Sequence, residues 1–179
     1  MLRRGLLLDR DGVINIDHGY VGKREQVEFM PGVFEFLKAA QDMGYRLAIL
    51  TNQSGVARGY YTEKDHHDLT VWMLKELGKQ GVAIDLTLAC FEHIEGTVAE
   101  YRRESFWRKP GAGMILEAVQ RMALDVSRSA FLGDQLRDMQ AAQAGGIKTC
   151  LWLDTKISKA PEGITLVKGF DDALKALKR

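Results

Sequence analysis

The chain has 179 residues, a length typical of one domain with one core, and we expect a single domain over residues 1–179. Its net charge of +1 and its 27% of charged residues argue against a nucleic-acid partner, which would need a clustered basic surface. No apolar stretch reaches the roughly 20 residues that a membrane-spanning helix needs, so no membrane partner is expected.

The first residues are similar to the start of an export signal, because two arginines precede a run of leucines. Asp9 interrupts that run at once, whereas an export signal needs about 7 to 15 apolar residues. Cys90 and Cys150 are too few for a disulfide framework and suit a reducing compartment. These features predict a cytoplasmic location.

The first predicted element is a strand at residues 6–8, an apolar run of the kind that is buried on both faces of a parallel sheet. It ends at Asp9-Arg10-Asp11-Gly12. Alternate side chains share a direction, so Asp9 and Asp11 can face one site, where one carboxylate attacks as a nucleophile and the other moves a proton. Taken alone, this motif is more often a turn or a helix cap.

Helices and strands then alternate along the chain. The patterns predict a helix at residues 32–43, a strand at 45–50, a helix at 62–79 and a strand at 84–90. The second strand leads into Thr51-Asn52-Gln53-Ser54-Gly55, a run of small polar groups able to bind phosphate oxygens. We expect His66 and His67, in the first turns of the longer helix, to be solvated or capping residues.

Arg108-Lys109-Pro110 supplies fixed positive charge, and its proline is suited to begin a helix, predicted at residues 114–123. A strand at 130–132 ends in Gly133-Asp134, and Asp138 lies about one turn further along a helix at 136–144. A strand at 149–153 and a helix at 171–177 complete the prediction.

This alternation predicts a three-layer α/β sandwich with a parallel, Rossmann-like sheet and right-handed crossovers. The spacings leave no room for a large cap domain after the first or third strand. Ligands bind at the carboxyl ends of the strands in such sheets, which is where the polar motifs lie.

Four motifs in order resemble those of the haloacid dehalogenase superfamily of aspartate-nucleophile phosphatases: Asp9-Arg10-Asp11-Gly12, Thr51, Lys109, and Gly133-Asp134 with Asp138. Within that superfamily, the segments Asp17-His18-Gly19-Tyr20-Val21 and Thr51 to Gly59 resemble the D-glycero-D-manno-heptose 1,7-bisphosphate 7-phosphatases. The histidinol-phosphate phosphatases share Thr-Asn-Gln and are the alternative.

The resemblance implies removal of the 7-phosphate of a heptose bisphosphate through an aspartyl phosphate on Asp9. Asp11 would act as general acid and then general base. Thr51 and Lys109 would hold the phosphoryl oxygens, and Asp138 would orient Lys109 or metal-bound water.

The resemblance also implies a magnesium ion held by Asp9, the backbone carbonyl of Asp11, and Asp134. The partner would be a phosphorylated sugar, and the chain is expected to be a monomer. Gln135 stands where many relatives have lysine, which weakens any expectation of a substrate contact at position 135. The expected substrate contacts are Asp17, His18, Gly19, Tyr20, Asn52, Gln53, Ser54 and Arg108.

A phospho-accepting receiver domain is an alternative of another class, because it also combines an acidic pair, a threonine and a lysine on a parallel sheet. In a receiver the accepting aspartate follows a later strand, whereas here the acidic pair follows the first. The order of the motifs therefore favours an enzyme.

Relatives often hold a structural zinc before the lysine, through a Cys-x-His pair and a Cys-x-Cys pair. Here Cys90 is followed by Glu92 and His93, and Ser105-Phe106-Trp107 replaces the second pair. A structural zinc needs four ligands, so we predict that it is absent. We expect aromatic packing to order this loop instead, through Phe91, Tyr101, Phe106 and Trp107.

Overall fold

The computed structural model describes residues 2–178. The helices are α1 (Val33–Asp42), α2 (Glu63–Lys79), α3 (Gly113–Met122), α4 (Leu136–Ala144) and α5 (Phe170–Leu177). The strands are β1 (Gly5–Leu8), β2 (Arg46–Asn52), β3 (Leu86–Cys90), β4 (Ala130–Gly133), β5 (Thr149–Leu153) and β6 (Ile164–Val167). These strands form one parallel sheet in the order β3-β2-β1-β4-β5-β6.

Helices cover both faces of the sheet, because the central strands are apolar on both. Leu6 and Leu8 of β1 join the core under α1, α2 and α5, whereas Leu7 between them joins the core under α3 and α4. The predicted three-layer sandwich is confirmed. Between β1 and α1 the structure shows a three-residue 3₁₀ turn, Arg24–Gln26, and between β3 and α3 another, Ala99–Tyr101. Within residues 2–178, neither connection contains a large cap, as expected.

The start of α2 follows from its sequence. Thr62 Oγ1 accepts a hydrogen bond from Asp65 N at 3.1 Å, and the Asp65 carboxylate accepts one from Thr62 N at 2.8 Å. This reciprocal pair satisfies two backbone donors that the first helical turn leaves free.

Two strands differ from the prediction. β2 continues to Asn52, paired with Cys90 of β3, so Thr51 and Asn52 are strand residues rather than loop residues. β6 was not predicted, because only Val167 in this edge strand is buried and the sequence shows little alternation.

The strand register brings the polar motifs together. Leu8 of β1 pairs with Ile49 of β2 on one side and with Leu132 of β4 on the other. The residues that follow these three positions therefore meet at one edge of the sheet. Within residues 2–178, no helix is both long enough and apolar enough to span a membrane.

Candidate active site

The turn after β1 holds Asp9 close to Asp134. Asp9 N donates to Leu132 O at 3.0 Å, which continues the pairing of β1 with β4. Gly12 has φ of 84°, and a Cβ there would lie 2.2 Å from Asp134 Oδ2. Only glycine therefore permits this approach of the turn to Asp134.

Lys109 is a fully buried cation between two carboxylates. Its Nζ lies 3.1 Å from Asp9 Oδ1 and 2.7 Å from Asp138 Oδ1, and it donates to Leu50 O at 2.8 Å. Burial alone would lower the pKa of Lys109, but the Asp9 and Asp138 carboxylates raise it above its ordinary value. The ammonium group is therefore a fixed positive charge at the base of the site.

The acidic groups outnumber this one lysine. Carboxylate oxygens of Asp9, Asp134 and Asp138 lie within 4.8 Å of one another. Burial raises the pKa of Asp9 to about 8 against the opposing effect of Lys109, and burial raises the pKa of Asp134 to about 6. Asp134 Oδ1 is buried and has no hydrogen-bond partner in the part of the chain described. This excess of buried oxygen ligands fits a hard divalent cation.

Asp11 is anchored by side chains on three sides. Its carboxylate accepts hydrogen bonds from Arg10 Nη2, Asn15 Nδ2 and Gln53 Nε2, and the shortest distance to each of these donors is 2.9 Å. Gln53 is fixed in turn, because its Oε1 accepts from Tyr61 OH at 2.6 Å. Asp11 is thus held at the mouth of the site next to Asp9.

Asn52 and Gln53, predicted as substrate contacts, have other tasks in the structure. Asn52 Nδ2 donates to Lys109 O and its Oδ1 accepts from Lys109 N, both at 3.0 Å. Both polar ends of Asn52 are therefore used to fix the Lys109 backbone. Gln53 Nε2 joins Asp11 to Thr51 Oγ1, which lies 2.8 Å from it, so Gln53 positions catalytic candidates.

A cavity of about 390 Å³ opens above Asp9, Asp11 and Asp134. Other residues predicted to contact substrate also line it, namely Asp17, Gly19, Tyr20, Asn52, Gln53, Ser54 and Arg108. Tyr20 is 47% exposed and contacts the Tyr60 ring edge-on, with the ring centroids 4.8 Å apart. Tyr20 is thus available to a ligand in the cavity.

His18 does not line this cavity, contrary to the prediction. Its Nε2 lies 3.2 Å from the Glu28 carboxylate, and both side chains are exposed. The turn at Gly19 lies between His18, which does not line the cavity, and Tyr20, which does.

Sequence reasoning missed three basic residues that line the cavity: Arg58, His93 and Arg137. Burial first, and then the positive charges of Arg137 and Arg58, lower the pKa of Arg108. Arg137 lies in the first turn of α4, where the helix dipole disfavours a cation. The position of Arg137 in the first helical turn is therefore the sequence feature that indicates a role other than stabilising α4.

The loop between β3 and Lys109 is held partly by polar contacts. Cys90 Sγ donates to Glu92 Oε2 at 3.2 Å, and Glu92 Oε1 accepts from Arg103 at 2.9 Å. Burial raises the pKa of the Cys90 thiol to about 11, which disfavours the thiolate that a metal binds.

The predicted aromatic packing of this loop is wrong in part. Phe91 contacts Tyr101 edge-on, with centroids 6.4 Å apart, but Phe106 is 65% exposed. Trp107 packs on Gly113, where a Cβ would lie 2.7 Å from the indole ring.

We predict that protein purified without added zinc contains far less than one equivalent of it, because Cys90 is paired with Glu92 and not with a second thiol. Metal analysis by mass spectrometry checks this. Zinc that stays stoichiometric after dialysis would contradict the prediction and make Cys90 and His93 ligands.

Comparison with known proteins identifies similar chains. The chain is 46% identical over 145 residues to D-glycero-beta-D-manno-heptose-1,7-bisphosphate 7-phosphatase of Rhodopseudomonas palustris, which covers 81% of each protein. It is 42% identical over 155 residues to the protein of that name in Vibrio cholerae, covering 87% of this chain and 83% of the relative.

The crystal structure of D,D-heptose 1,7-bisphosphate phosphatase from B. bronchiseptica, complexed with magnesium and phosphate, has the same fold. The TM-score is 0.85 at 24% identity, over 98% of each chain. The family of haloacid dehalogenase-like hydrolases matches residues 4–146. This match and the identity to the curated relatives show that the chain belongs to the haloacid dehalogenase-like hydrolases.

Proposed function

We propose that the protein is a magnesium-dependent phosphatase that removes the 7-phosphate of D-glycero-β-D-manno-heptose 1,7-bisphosphate. The names of the relatives at 46% and 42% identity support this substrate. The observation that carries the proposal is the distribution of charge in the cavity above Asp9.

That cavity has two regions able to hold a phosphate. At its base, Asp9 and Lys109 form the reactive region, while Arg58, Arg108 and Arg137 supply cations elsewhere on the lining. Arg108 Nη1 is buried and has no hydrogen-bond partner within residues 2–178. A bisphosphate supplies a second anion for these arginines. Histidinol phosphate carries an ammonium group instead, which they would repel.

The residues at the base can perform the displacement. Asp9 Oδ1 accepts from Arg10 N at 2.7 Å and lies 3.1 Å from Lys109 Nζ, which leaves Oδ2 to attack phosphorus. As that bond forms, the bond from phosphorus to sugar O7 breaks and Asp11 gives O7 a proton. Asp11 then takes a proton from water, whose oxygen attacks phosphorus and frees Asp9 and inorganic phosphate.

Magnesium fits the three clustered carboxylates, because they supply only oxygen ligands. Asp9, Asp134 and the backbone carbonyl of Asp11 would hold it, while Asp138 stays with Lys109. When bound, the ion supplies charge neutralisation on the phosphoryl oxygens. Thr51 and Lys109 would bind these oxygens from other sides.

We expect kcat/KM for the heptose 1,7-bisphosphate to exceed that for histidinol phosphate by roughly a hundredfold or more, because polar groups built to pair with a substrate reject analogues that leave them unpaired. Steady-state phosphate release with both substrates measures this ratio. Equal efficiency would reduce the proposal to a general phosphatase. A single turnover with retained phosphate would instead indicate a receiver domain.

The role of the arginines can be tested separately. Arg108→Ala should lower kcat/KM for the bisphosphate by about tenfold or more, because a hydrogen bond to a charged group contributes roughly 1.5–3 kcal/mol. Turnover of a small aryl phosphate, which has no second anion, should fall much less. Arg121→Ala is the matched control, because Arg121 is exposed on α3 and its ion pair with Glu117 is 3.9 Å long. Equal losses on both substrates would contradict a second phosphate site.

The compartment and assembly state remain part of the proposal. Cys90 and Cys150 are both buried free thiols, which supports a reducing compartment such as the cytoplasm. A monomer of one domain stays a prediction.

A further inference from the structure

A second cavity, of about 260 Å³, has Arg10 and Thr51 in its lining and none of the proposed catalytic carboxylates. Its walls come from α2 and from the edge strand β3, and they are mainly apolar, including Met73, Leu88 and Phe91. The exposed residues Glu63 and His67 also line it, so it opens to solvent beside the first turns of α2. None of the steps proposed above uses this space.

Two polar side chains in its lining are buried with an unused hydrogen-bonding atom. Arg10 is 3% exposed and His66 is 8% exposed. Arg10 Nη1 and His66 Nε2 have no hydrogen-bond partner in the described part of the chain. A buried polar atom without a partner costs about 1–3 kcal/mol, so both atoms favour a ligand that would pair with them.

His66 was expected to be a solvated or capping residue, and the structure corrects this. Its ring contacts Phe91 edge-on, with centroids 5.2 Å apart. Burial, followed by the charge of Arg10, lowers the pKa of His66 to about 4. The ring is therefore neutral at pH 7, and Arg10 is the positive charge of this cavity.

We propose that this cavity binds a small monocarboxylate with an apolar body. Its carboxylate would accept hydrogen bonds from Arg10 Nη1 and, in the Nε2–H tautomer, from His66 Nε2. Its apolar body would contact Met73, Leu88 and Phe91. A cavity of about 260 Å³ suits an acid of phenylacetate size.

Arg10 couples this site to Asp11. Arg10 Nε and Nη2 donate to the Asp11 carboxylate at 3.2 and 2.9 Å. A ligand carboxylate bound to the same guanidinium would compete with Asp11 for the positive charge of Arg10. The hydrogen bonds from Arg10 to Asp11 would then be weaker. Since Asp11 moves the proton in the proposed function, on which this coupling rests, the bound acid should lower kcat without changing KM.

Binding is tested without substrate, by ¹H–¹⁵N NMR titration of the full chain with phenylacetate and with phenylacetamide as the uncharged control. We expect saturable shifts in α2 and β3 with a dissociation constant in the low millimolar range, of the order that about ten heavy atoms give. Phenylacetamide should bind about tenfold more weakly, since it lacks the charge for Arg10.

Two variants locate the site. Ala89 of β3 lines the cavity, so Ala89→Leu should fill it and weaken phenylacetate binding about tenfold, whereas Ala83→Leu, the same change at an exposed position, should not. His66→Leu should weaken phenylacetate about fivefold, which is the effect of one lost hydrogen bond. Equal binding of acid and amide, or unchanged binding in Ala89→Leu, would overturn the proposal.

The coupling is tested by phosphate release with saturating phenylacetate. A lower kcat in the wild-type chain and in Ala83→Leu, but not in Ala89→Leu, supports it. Binding by NMR with unchanged kcat overturns the coupling through Arg10. If the chain does not turn over the bisphosphate even without phenylacetate, only the proposed function is contradicted. The NMR titration still tests the cavity, because it needs no turnover.

Discussion

Asp9→Asn is expected to abolish phosphate release, with a loss of at least about a thousandfold, because an amide oxygen cannot replace the attacking carboxylate. The fold should be retained. Asparagine keeps an oxygen for Arg10 N, and it removes a buried carboxylate whose pKa is raised to about 8. Phosphate release and thermal unfolding of the same preparation measure the two effects.

Asp42→Asn is the matched control, because Asp42 is an exposed aspartate of α1 whose ion pair is with Lys38 of the same helix. It should keep wild-type turnover. A rate near that of the wild type in Asp9→Asn would show that Asp9 is not the nucleophile.

Lys109→Met should lower both activity and stability. Loss of one preorganised charge should cost about 3 kcal/mol of transition-state stabilisation, roughly a hundredfold in kcat/KM. Methionine keeps most of the volume of the lysine side chain, so the loss of stability measures the effect of removing the positive charge. Asp9 and Asp138 would be left buried without their cation, and breaking such a pair costs about 3–5 kcal/mol in the free energy of unfolding.

A second substitution separates the two effects of Lys109. In Lys109→Met with Asp138→Asn, one of the two unpaired charges is gone, so much of the lost stability should return. Activity should stay low, because the phosphoryl oxygens still lack the ammonium group. Urea unfolding and phosphate release measure both quantities. A loss of turnover under tenfold in Lys109→Met would make Lys109 a structural residue only.

The sheet could be predicted because its central strands are buried on both faces and read as continuous apolar runs, as residues 6–8 do. The carboxyl ends of such strands share one edge, so the positions of Asp9, Thr51 and Asp134 followed from topology. β6 did not follow, because an edge strand packs little and its pattern is weak.

The directions of side chains at the site could not be predicted. Asn52 and Gln53 lie in a segment typical of phosphate contact, yet their amides bind Lys109 and Asp11. His18 and Tyr20 are two residues apart, and only Tyr20 lines the cavity. Such choices depend on partners brought together by the tertiary structure. The burial of His66 likewise depends on Phe91, which comes from the end of β3.

The central claim is that phosphate is removed from position 7 of a heptose 1,7-bisphosphate while position 1 is left intact. The most direct test is ³¹P NMR of the reaction of the full chain with that substrate and magnesium. We predict that the 7-phosphate signal disappears, the 1-phosphate signal remains, and inorganic phosphate rises in equal amount. Loss of the 1-phosphate signal, or loss of both signals at equal rates, would contradict the account.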